Sequence, residues 1–402
     1  MASNSGIFEY LMAAAMEKVH SQVLGWIFSL RDAHNLNEKE SFGVALLKRI
    51  LGIENETISI ESVVVEYNNF DILIEWKRNG TNCTLIIENK IKSSEHSNQL
   101  ARYVEDMKVL VEKEDSFQHY SPYQKERHYY FLLQLIHEKN LHEPWRQLNY
   151  SSLSNYLLLA LQDDQVSITA NARTMLEQYL DCITRLSDSV DQFILNPAKF
   201  GFVFSEGKTR KLVGSKHLNQ HQIFSVENYI KANQLETILQ KAFYFKLMQE
   251  DVLADKEYHI GESHGTAILD LFLPGTVQVQ INSTIVSLRK ICQFQGAQVK
   301  FALAPIPPLL PTENEIKAVF KEYDRQAPEF IADNLPADYK KKKVTRPRGK
   351  GFSSVIITSQ WWQTAASEKS YTSAAGFVSS SYRQAVVFFD QFPQQPILLS
   401  TN

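Results

Sequence analysis

Two apolar segments on either side of a short polar turn constrain the fold of this chain more than any other feature. Strands are predicted over 71–77 and 83–89. Asn79 and Gly80 lie between them, and both residues tolerate the positive φ angles of a tight hairpin turn. The segment therefore predicts a pair of antiparallel strands.

The predicted hairpin brings ionisable side chains together. Because side chains alternate along an extended strand, Glu88 and Lys90 share one face while Ile87 points into the opposite layer. Pairing across the turn places Asp71 beside Glu88. Two neighbouring carboxylates repel each other, so keeping both ionised requires a cation, and oxygen ligands favour Mg²⁺ or Mn²⁺ over zinc. With Lys90 to orient water or stabilise phosphate charge, the pattern indicates a site for phosphodiester cleavage.

The Glu-x-Lys tripeptide alone is weak evidence for catalysis. It recurs at Glu75-Trp76-Lys77 and Glu315-Ile316-Lys317, and neither copy has an aspartate upstream at hairpin distance. The interpretation of Glu88 and Lys90 therefore depends on the residues around them.

Those surroundings resemble the PD-(D/E)xK nuclease superfamily, specifically its branch with the motif IIENKI…NQLxRY. The matching residues are Asp71, Glu88-x-Lys90 and Asn98-Gln99-Leu100-x-x-Tyr103. An upstream segment, Glu17-x-x-His20-Ser21-x-x-Leu24-x-Trp26 followed by Phe42-Gly43, resembles the amino-terminal motif of the same branch. The resemblance covers roughly residues 7 to 160. Asn69-Phe70 replaces the usual Arg-Ile before the aspartate, and Phe42 replaces a histidine, which puts substrate contacts in doubt more than metal binding.

The resemblance implies a role for each matching residue. Asp71 and Glu88 would be metal ligands, with the main-chain carbonyl of Asn89 as a third oxygen. Lys90 would orient the attacking water. Glu17 looks like the additional carboxylate that completes the site in many of these nucleases, and its alternative is a solvated helix glutamate. The implied cofactor is Mg²⁺ or Mn²⁺.

Other polar residues are assigned by helical spacing and by the same resemblance. Gln99 and Tyr103 are four residues apart and so share a helix face, which points either at the metal or only into the core. Gln99 is predicted to assist catalysis. Tyr103 and Arg102 are predicted to contact nucleic acid, although Arg102 also fits a surface residue. His20 and Ser21 are expected to be buried and to hold a helix to the sheet.

The predicted fold class is α/β, a restriction-endonuclease-like mixed sheet flanked by helices. We expect a nuclease domain with trailing helices over 1–195, and a C-terminal α/β domain over 196–402. The predicted strands are 58–67, 71–77, 83–89 and 129–136. The predicted helices are 7–31, 38–51, 96–114, 153–161 and 170–186.

The second half suggests a repeat of the same element order. A helix over 225–249 is predicted before strands at 267–273 and 277–281, a helix to Cys292 and a strand at 299–303. Asp270, Gln280 and Asn282 would then occupy the places of the aspartate, glutamate and lysine in the first half. The hypothesis is a degenerate second nuclease fold unable to hold a metal, because neutral side chains offset no cation charge. The alternative is an unrelated or regulatory α/β domain.

One marked charge run follows, and its residues are predicted to bind phosphates without sequence preference. A solvated loop is the alternative. Trp361 and Trp362 further on could stack on bases, although core packing is favoured. The basic residues of the run are Lys340, Lys341, Lys342, Lys343, Arg346, Arg348 and Lys350.

Composition bounds the class of protein without choosing a function. The 402 residues and 44% hydrophobic content suggest two domains with ample core. The net charge of −3 confines nucleic-acid contacts to local basic patches. Three scattered cysteines exclude a disulfide framework or zinc site. With no apparent signal peptide, spanning segment or phosphate-binding loop, we expect a cytoplasmic protein that hydrolyses no nucleoside triphosphate.

The sequence thus favours a magnesium-dependent DNase, with a role in antiviral defence or DNA processing suggested by the resemblance. Two alternatives remain open. One is a nucleic-acid-binding or regulatory module that retains the nuclease fold. The other is an effector held inactive by its own carboxy-terminal domain. A partner protein for targeting or activation and a homo-oligomer are both compatible with these readings.

Overall fold

The chain divides into two compact units, one comprising residues 1–192 with 215–238 and the other 193–214 with 239–402. Their architecture comes from a computed structural model. It describes residues 7–10, 14–30, 39–92, 99–113, 124–136, 143–204, 226–263, 265–281, 284–296, 298–306, 353–358 and 371–391.

The first unit contains a five-stranded mixed sheet in the order β2, β3, β4, β5, β6. The first three of these strands pair antiparallel, and the last three pair parallel. This confirms the predicted mixed sheet. The strands of the unit are β1 (Glu40–Ser41), β2 (Ile58–Tyr67), β3 (Phe70–Arg78), β4 (Thr81–Lys90), β5 (His128–Gln134), β6 (Trp145–Asn149) and β7 (Val166–Ser167), with β1 and β7 forming a separate parallel pair.

Helices flank this sheet. They are α1 (Ile7–Tyr10), α2 (Glu17–Phe28), α3 (Phe42–Leu51), α4 (Gln99–Lys113), α5 (Tyr150–Gln162), α6 (Ala170–Leu195) and α7 (Val226–Ala232), with a 3-10 turn at Lys125–Arg127. The prediction of a single helix over 7–31 is wrong. Met16 has an extended backbone, with φ −96° and ψ 107°, so a new helix begins at Glu17.

The hairpin between β3 and β4 has the predicted turn. Asn79 and Gly80 adopt φ angles of 47° and 80°, the left-handed conformation that a two-residue turn requires at both positions. The strands pair through Ile72 opposite Ile87 at the far end. Asp71 therefore lies one residue beyond this pair, at the end of the hairpin that contains Glu88.

The two faces of the sheet are covered by different helices. Leu73 and Ile86 pack with Leu100 and Met107 of α4 on one face. On the other face, Gly25 of α2 lies against the side chain of Val65, which pairs with Ile72. Residues of odd number in β4, such as Ile87 and Asn89, thus point toward α2, whereas Glu88 and Lys90 point toward α4.

The second unit contains a five-stranded sheet that is antiparallel throughout, in the order β12, β11, β10, β9, β8. Its last helix packs against β9 and β10, and Phe388 of that helix contacts Phe301 of β11. The elements are a 3-10 segment (Pro197–Phe204), α8 (Glu236–Leu247, whose first residues belong to the first unit), a 3-10 turn (Asp251–Leu253), β8 (Tyr258–Ser263), β9 (Thr266–Ile281), β10 (Thr284–Gln295), β11 (Gln298–Pro305), β12 (Ser353–Thr358) and α9 (Tyr371–Gln391).

The hypothesis of a second nuclease fold is wrong. Asp270 and Gln280 lie on the same strand, β9, and pair with different residues of β10, Gln293 and Ile285. Ten residues of extended chain separate them by roughly 30 Å, so they cannot occupy neighbouring strands of a metal site. The predicted helix before Cys292 is strand β10, and Asn282 lies outside the described residues.

Several other sequence features can be placed. Cys83, Cys182 and Cys292 are buried and form no disulfide bonds with one another. None of the helices in the described ranges is long and apolar enough to span a bilayer. The basic run over 340–350 and the tryptophans at 361 and 362 lie outside the described residues.

Candidate active site

The site lies where the hairpin of β3 and β4 meets the start of α4. The backbone N–H of Asn89 donates to Oδ2 of Asp71 over 2.7 Å, which fixes the aspartate beside the end of β4. Burial raises the pKa of Asp71, and the hydrogen bond from Asn89 and the charge of Lys90 only partly oppose this. The predicted proximity of Asp71 and Glu88 is thus observed.

Glu88 is almost completely enclosed, with 2% of its side chain exposed. Its Oε1 accepts hydrogen bonds from Lys90 Nζ at 2.7 Å and from Gln99 Nε2 at 2.9 Å. Burial, and then the negative charge of Asp71, raise the pKa of Glu88 to about 7. Oε2 is buried and accepts no hydrogen bond from any described part of the chain. The cost of removing this oxygen from water is therefore not offset by a described hydrogen bond.

Lys90 is the cation of the site. Its side chain is 12% exposed and pairs directly with Glu88. Burial lowers its pKa, but the charges of Glu88, Glu17 and Asp71 outweigh burial and raise the pKa above its ordinary value. Lys90 is therefore protonated at neutral pH and can donate hydrogen bonds, whereas it cannot serve as a general base there.

Helix α4 contributes Gln99 and Tyr103, as their spacing predicted. The Gln99 carboxamide donates both to Glu88 and to the hydroxyl of Tyr103. The Tyr103 ring is 5% exposed and packs edge-on against Phe70 at 5.2 Å, so it is a core residue whose hydroxyl reaches the site. Arg102 is exposed on the adjacent face of the helix.

Glu17 has a contact that its sequence position did not predict. Its Oε1 accepts hydrogen bonds from the backbone N–H groups of Ile91 and Lys92, each at 2.8 Å. The carboxylate thus holds the chain immediately after β4. Its charge also raises the pKa values of Asp71, Glu88 and Lys90. No three acidic, histidine or cysteine side chains converge as a metal-binding group within the described ranges. A metal-binding role of Glu17 stays a prediction.

Behind the site, buried polar residues join α2 to the sheet. Asn89 donates through Nδ2 to the carbonyl of Glu17 at 2.9 Å and to Ser21 Oγ at 3.2 Å. His20 is fully buried and its pKa is lowered to about 4, chiefly by that burial. Its Nε2 donates to the carbonyl of Ala14 at 2.9 Å. Its Nδ1 therefore accepts from the Tyr179 hydroxyl at 3.1 Å. His20 and Ser21 thus hold the helix in place, as expected.

Comparison with known families assigns this architecture. Residues 5–181 match the family model described as the PD-(D/E)XK nuclease superfamily. Over these residues the chain is similar to PD-(D/E)XK nucleases, as its motifs predicted. Neither the curated proteins nor the solved structures gave a match. This similarity suggests nuclease activity on a nucleic-acid substrate, and PD-(D/E)XK nucleases usually use divalent metals.

The side chains of this PD-(D/E)XK site fit a divalent cation. Asp71 and Glu88 supply the hard oxygen atoms that Mg²⁺ prefers, and Glu88 Oε2 is a buried acceptor without a described donor. Two carboxylates suffice for Mg²⁺, which usually keeps several water ligands. The main-chain carbonyl of Asn89 stays a predicted third ligand.

Sequence reasoning missed two features of the site. The Tyr150 hydroxyl donates to Asn89 Oδ1 over 2.6 Å across 61 residues, and no local pattern signals such a contact. Lys92, in the bend after β4, lies close enough to Glu17 for their charges to interact. Burial lowers the pKa of Lys92, and the charge of Glu17 partly opposes this effect. The available signal for Lys92 was its spacing, since it follows Lys90 by two residues, as Lys90 follows Glu88.

Proposed function

We propose that the amino-terminal unit is a nuclease that hydrolyses phosphodiester bonds of DNA with Mg²⁺ or Mn²⁺ as cofactor. The observation that carries this proposal is the buried Glu88 carboxylate. It is bound on one oxygen by Lys90 and Gln99 and has no described partner on the other, and the charge of Asp71 acts on it. A purely structural carboxylate would have both oxygens satisfied, because an unpaired buried acceptor is costly.

Each residue has a distinct role in the proposed reaction. Asp71 and Glu88 would hold the cation, together with the Asn89 carbonyl. When bound, the cation would polarise the phosphate and lower the pKa of a coordinated water. Lys90, held protonated by the surrounding carboxylates, orients the attacking water and offsets negative charge that develops on the phosphate. Gln99 fixes the rotamer of Glu88 through its hydrogen bond to Oε1.

Glu17 supports the reaction indirectly, through the backbone next to the catalytic pair. It is bound to two backbone N–H groups at the end of β4, so it fixes the strand that presents the catalytic pair. Its negative charge also favours retention of a cation nearby. We therefore propose that Glu17 positions the site and strengthens its field.

Substrate binding would use basic side chains of the chain. Arg102 is exposed next to Tyr103, whose hydroxyl lies at the edge of the site. The run from Lys340 to Lys350 supplies further positive charge in the sequence. Nonspecific phosphate contacts of this kind suit a nuclease acting in defence against foreign DNA or in DNA processing. A partner protein would then select the target.

Cleavage assays with matched variants test the proposal. Supercoiled, linear and single-stranded DNA and RNA are incubated with Mg²⁺ or Mn²⁺. We expect DNA cleavage by the wild type and its loss in Glu88→Gln and Lys90→Ala. Glu75 and Lys77 form the same tripeptide on β3, where Lys77 pairs with Glu61 instead. Glu75→Gln and Lys77→Ala should therefore retain cleavage.

Two outcomes would contradict the proposal. Cleavage that survives Glu88→Gln would locate the chemistry elsewhere. A wild-type protein that retains DNA in EDTA and never shortens it with either metal would be a binding module with the nuclease fold.

A further inference from the structure

Asn89 lies between the two charged residues of β4, and its side chain points the opposite way. Glu88 and Lys90 face α4, whereas Asn89 faces α2 and is 1% exposed. Contacts that hold the Asn89 side chain therefore also restrain its two neighbours, because all three share one stretch of backbone.

Every polar group of Asn89 for which a partner is known connects to a different element. Its backbone N–H donates to Asp71 on β3 at 2.7 Å, and its Nδ2 donates to Glu17 and Ser21 on α2. Its Oδ1 accepts from Tyr150 on α5 at 2.6 Å. The orientation of the carboxamide is unambiguous, since the Glu17 carbonyl can only accept a hydrogen bond.

Tyr150 is a rigid donor. It is fully buried at the first position of α5, directly after β6, and its ring lies edge-on to His20 at 5.4 Å. Burial raises the pKa of Tyr150 well above its ordinary value, so the hydroxyl keeps its proton. Asn149 caps the helix by accepting from the Ser152 N–H at 2.6 Å, which fixes the backbone from which Tyr150 projects.

We infer that Tyr150 is a positioning residue, whose hydroxyl holds the Asn89 side chain and thereby sets where β4 presents Glu88 and Lys90 to Asp71. This inference rests on the proposed function of the site. Residues that orient metal-binding groups from behind typically change metal affinity by 10- to 100-fold when altered. Tyr150 does not touch the reacting atoms and acts only through Asn89.

Binding of Mn²⁺ alone, measured by titration calorimetry, tests the inference without relying on cleavage. Tyr150→Phe removes one hydroxyl and keeps the ring. The matched control is Tyr179→Phe. Tyr179 is equally buried, and its hydroxyl contacts His20 on α2 rather than Asn89. We expect Tyr150→Phe to bind Mn²⁺ about tenfold more weakly. Tyr179→Phe should bind like the wild type, and Glu88→Gln should show no binding.

A double-mutant cycle tests whether Tyr150 acts through Asn89. Asn89→Leu keeps the branched shape and removes the polar atoms, so Tyr150→Phe should weaken Mn²⁺ binding no further in that background. Equal affinity of the wild type and Tyr150→Phe would overturn the inference, as would equal losses in the two tyrosine variants or additive losses in the cycle.

The same titration separates this inference from the proposed function. Wild-type protein that binds Mn²⁺ through Glu88 but cleaves no nucleic acid would overturn the proposed activity alone. Wild-type protein that binds no Mn²⁺ would overturn both.

Discussion

The N–H of Asn89 and the carboxylate of Asp71 are joined by a 2.7 Å hydrogen bond between two residues 18 positions apart. The bond continues the β3–β4 pairing by one step beyond Ile72 and Ile87. It orients Asp71 toward the strand end that contains Glu88 and Lys90. The geometry of the candidate site is therefore an extension of the hairpin, and its electrostatics can be tested residue by residue.

Glu88 should make the metal-free protein less stable as pH rises. The pKa of Glu88 rises from 4.5 to about 7 on folding, so the folded state binds this proton more tightly than the unfolded chain. Between those pH values ionisation is favoured in the unfolded state. In EDTA, the free energy of unfolding of the wild type minus that of Glu88→Gln should fall by about 3 kcal/mol from pH 4 to pH 8.

Denaturant unfolding at several pH values measures this difference. Glu105→Gln is the control, because Glu105 is 69% exposed on α4. A larger fall for Glu88→Gln than for Glu105→Gln would assign the effect to the buried carboxylate. A flat difference for Glu88→Gln would show that Glu88 is not destabilised by burial.

Gln99→Ala should impair the proposed cleavage without unfolding the protein. The variant loses the 2.9 Å donor to Glu88 Oε1, so the carboxylate becomes both more mobile and harder to ionise. We expect about tenfold slower cleavage at neutral pH and a rate profile shifted to higher pH. Gln162→Ala, at an exposed glutamine of α5, provides the comparison. An unchanged profile would limit Gln99 to packing.

Gly43→Ala should destabilise the first unit. A Cβ atom at Gly43 would overlap the carbonyl oxygen of Phe28, so the end of α2 and the start of α3 would have to separate. We expect a loss of about 1–3 kcal/mol in the free energy of unfolding. Gly376 on α9 has no atom within 4 Å of such a Cβ, and Gly376→Ala should be neutral or stabilising by about 0.5–1 kcal/mol. Equal effects in chemical denaturation would contradict the packing of α2 on α3.

Arg102→Ala should weaken DNA binding through charge alone. In a Glu88→Gln background, which prevents cleavage, affinity is measured at several salt concentrations. We expect weaker binding. The slope of log affinity against log salt concentration should become shallower by about one, since one phosphate contact is lost. Lys108→Ala is the control, because Lys108 pairs with Glu105 on the same helix. Identical salt slopes for Glu88→Gln with and without Arg102→Ala would exclude a phosphate contact at Arg102.

Local patterns predicted the hairpin and the first contacts of the site. Asn79 and Gly80 specified the turn, and alternation placed Glu88 and Lys90 on one face. The spacing of Gln99 and Tyr103 predicted their shared face on α4, and Gln99 does contact Glu88. These successes share a cause, since each depends on residues close together in sequence or within one element.

The failures have physical reasons too. In the segment Thr284–Gln295, apolar residues at 285, 288 and 292 mimic helical spacing, while the β-branched start and the pairing with β9 and β11 favour a strand. The five-residue strand β6 was too short to be recognised. Long-range contacts such as that between Tyr150 and Asn89 leave no periodic signal at all.

The hairpin turn at Asn79 and Gly80 also bears on how the site assembles during folding. Hairpins close within microseconds because little chain entropy is lost over so short a loop. Asp71 and the end of β4 can thus meet early, whereas the contact from Tyr150 closes a loop of 61 residues and requires β5, β6 and α5 to be in place. We expect Asp71 and Glu88 to come together first and the hydrogen bond from Tyr150 to Asn89 to form last. Two repelling carboxylates are then brought together before the fold that restrains them is complete.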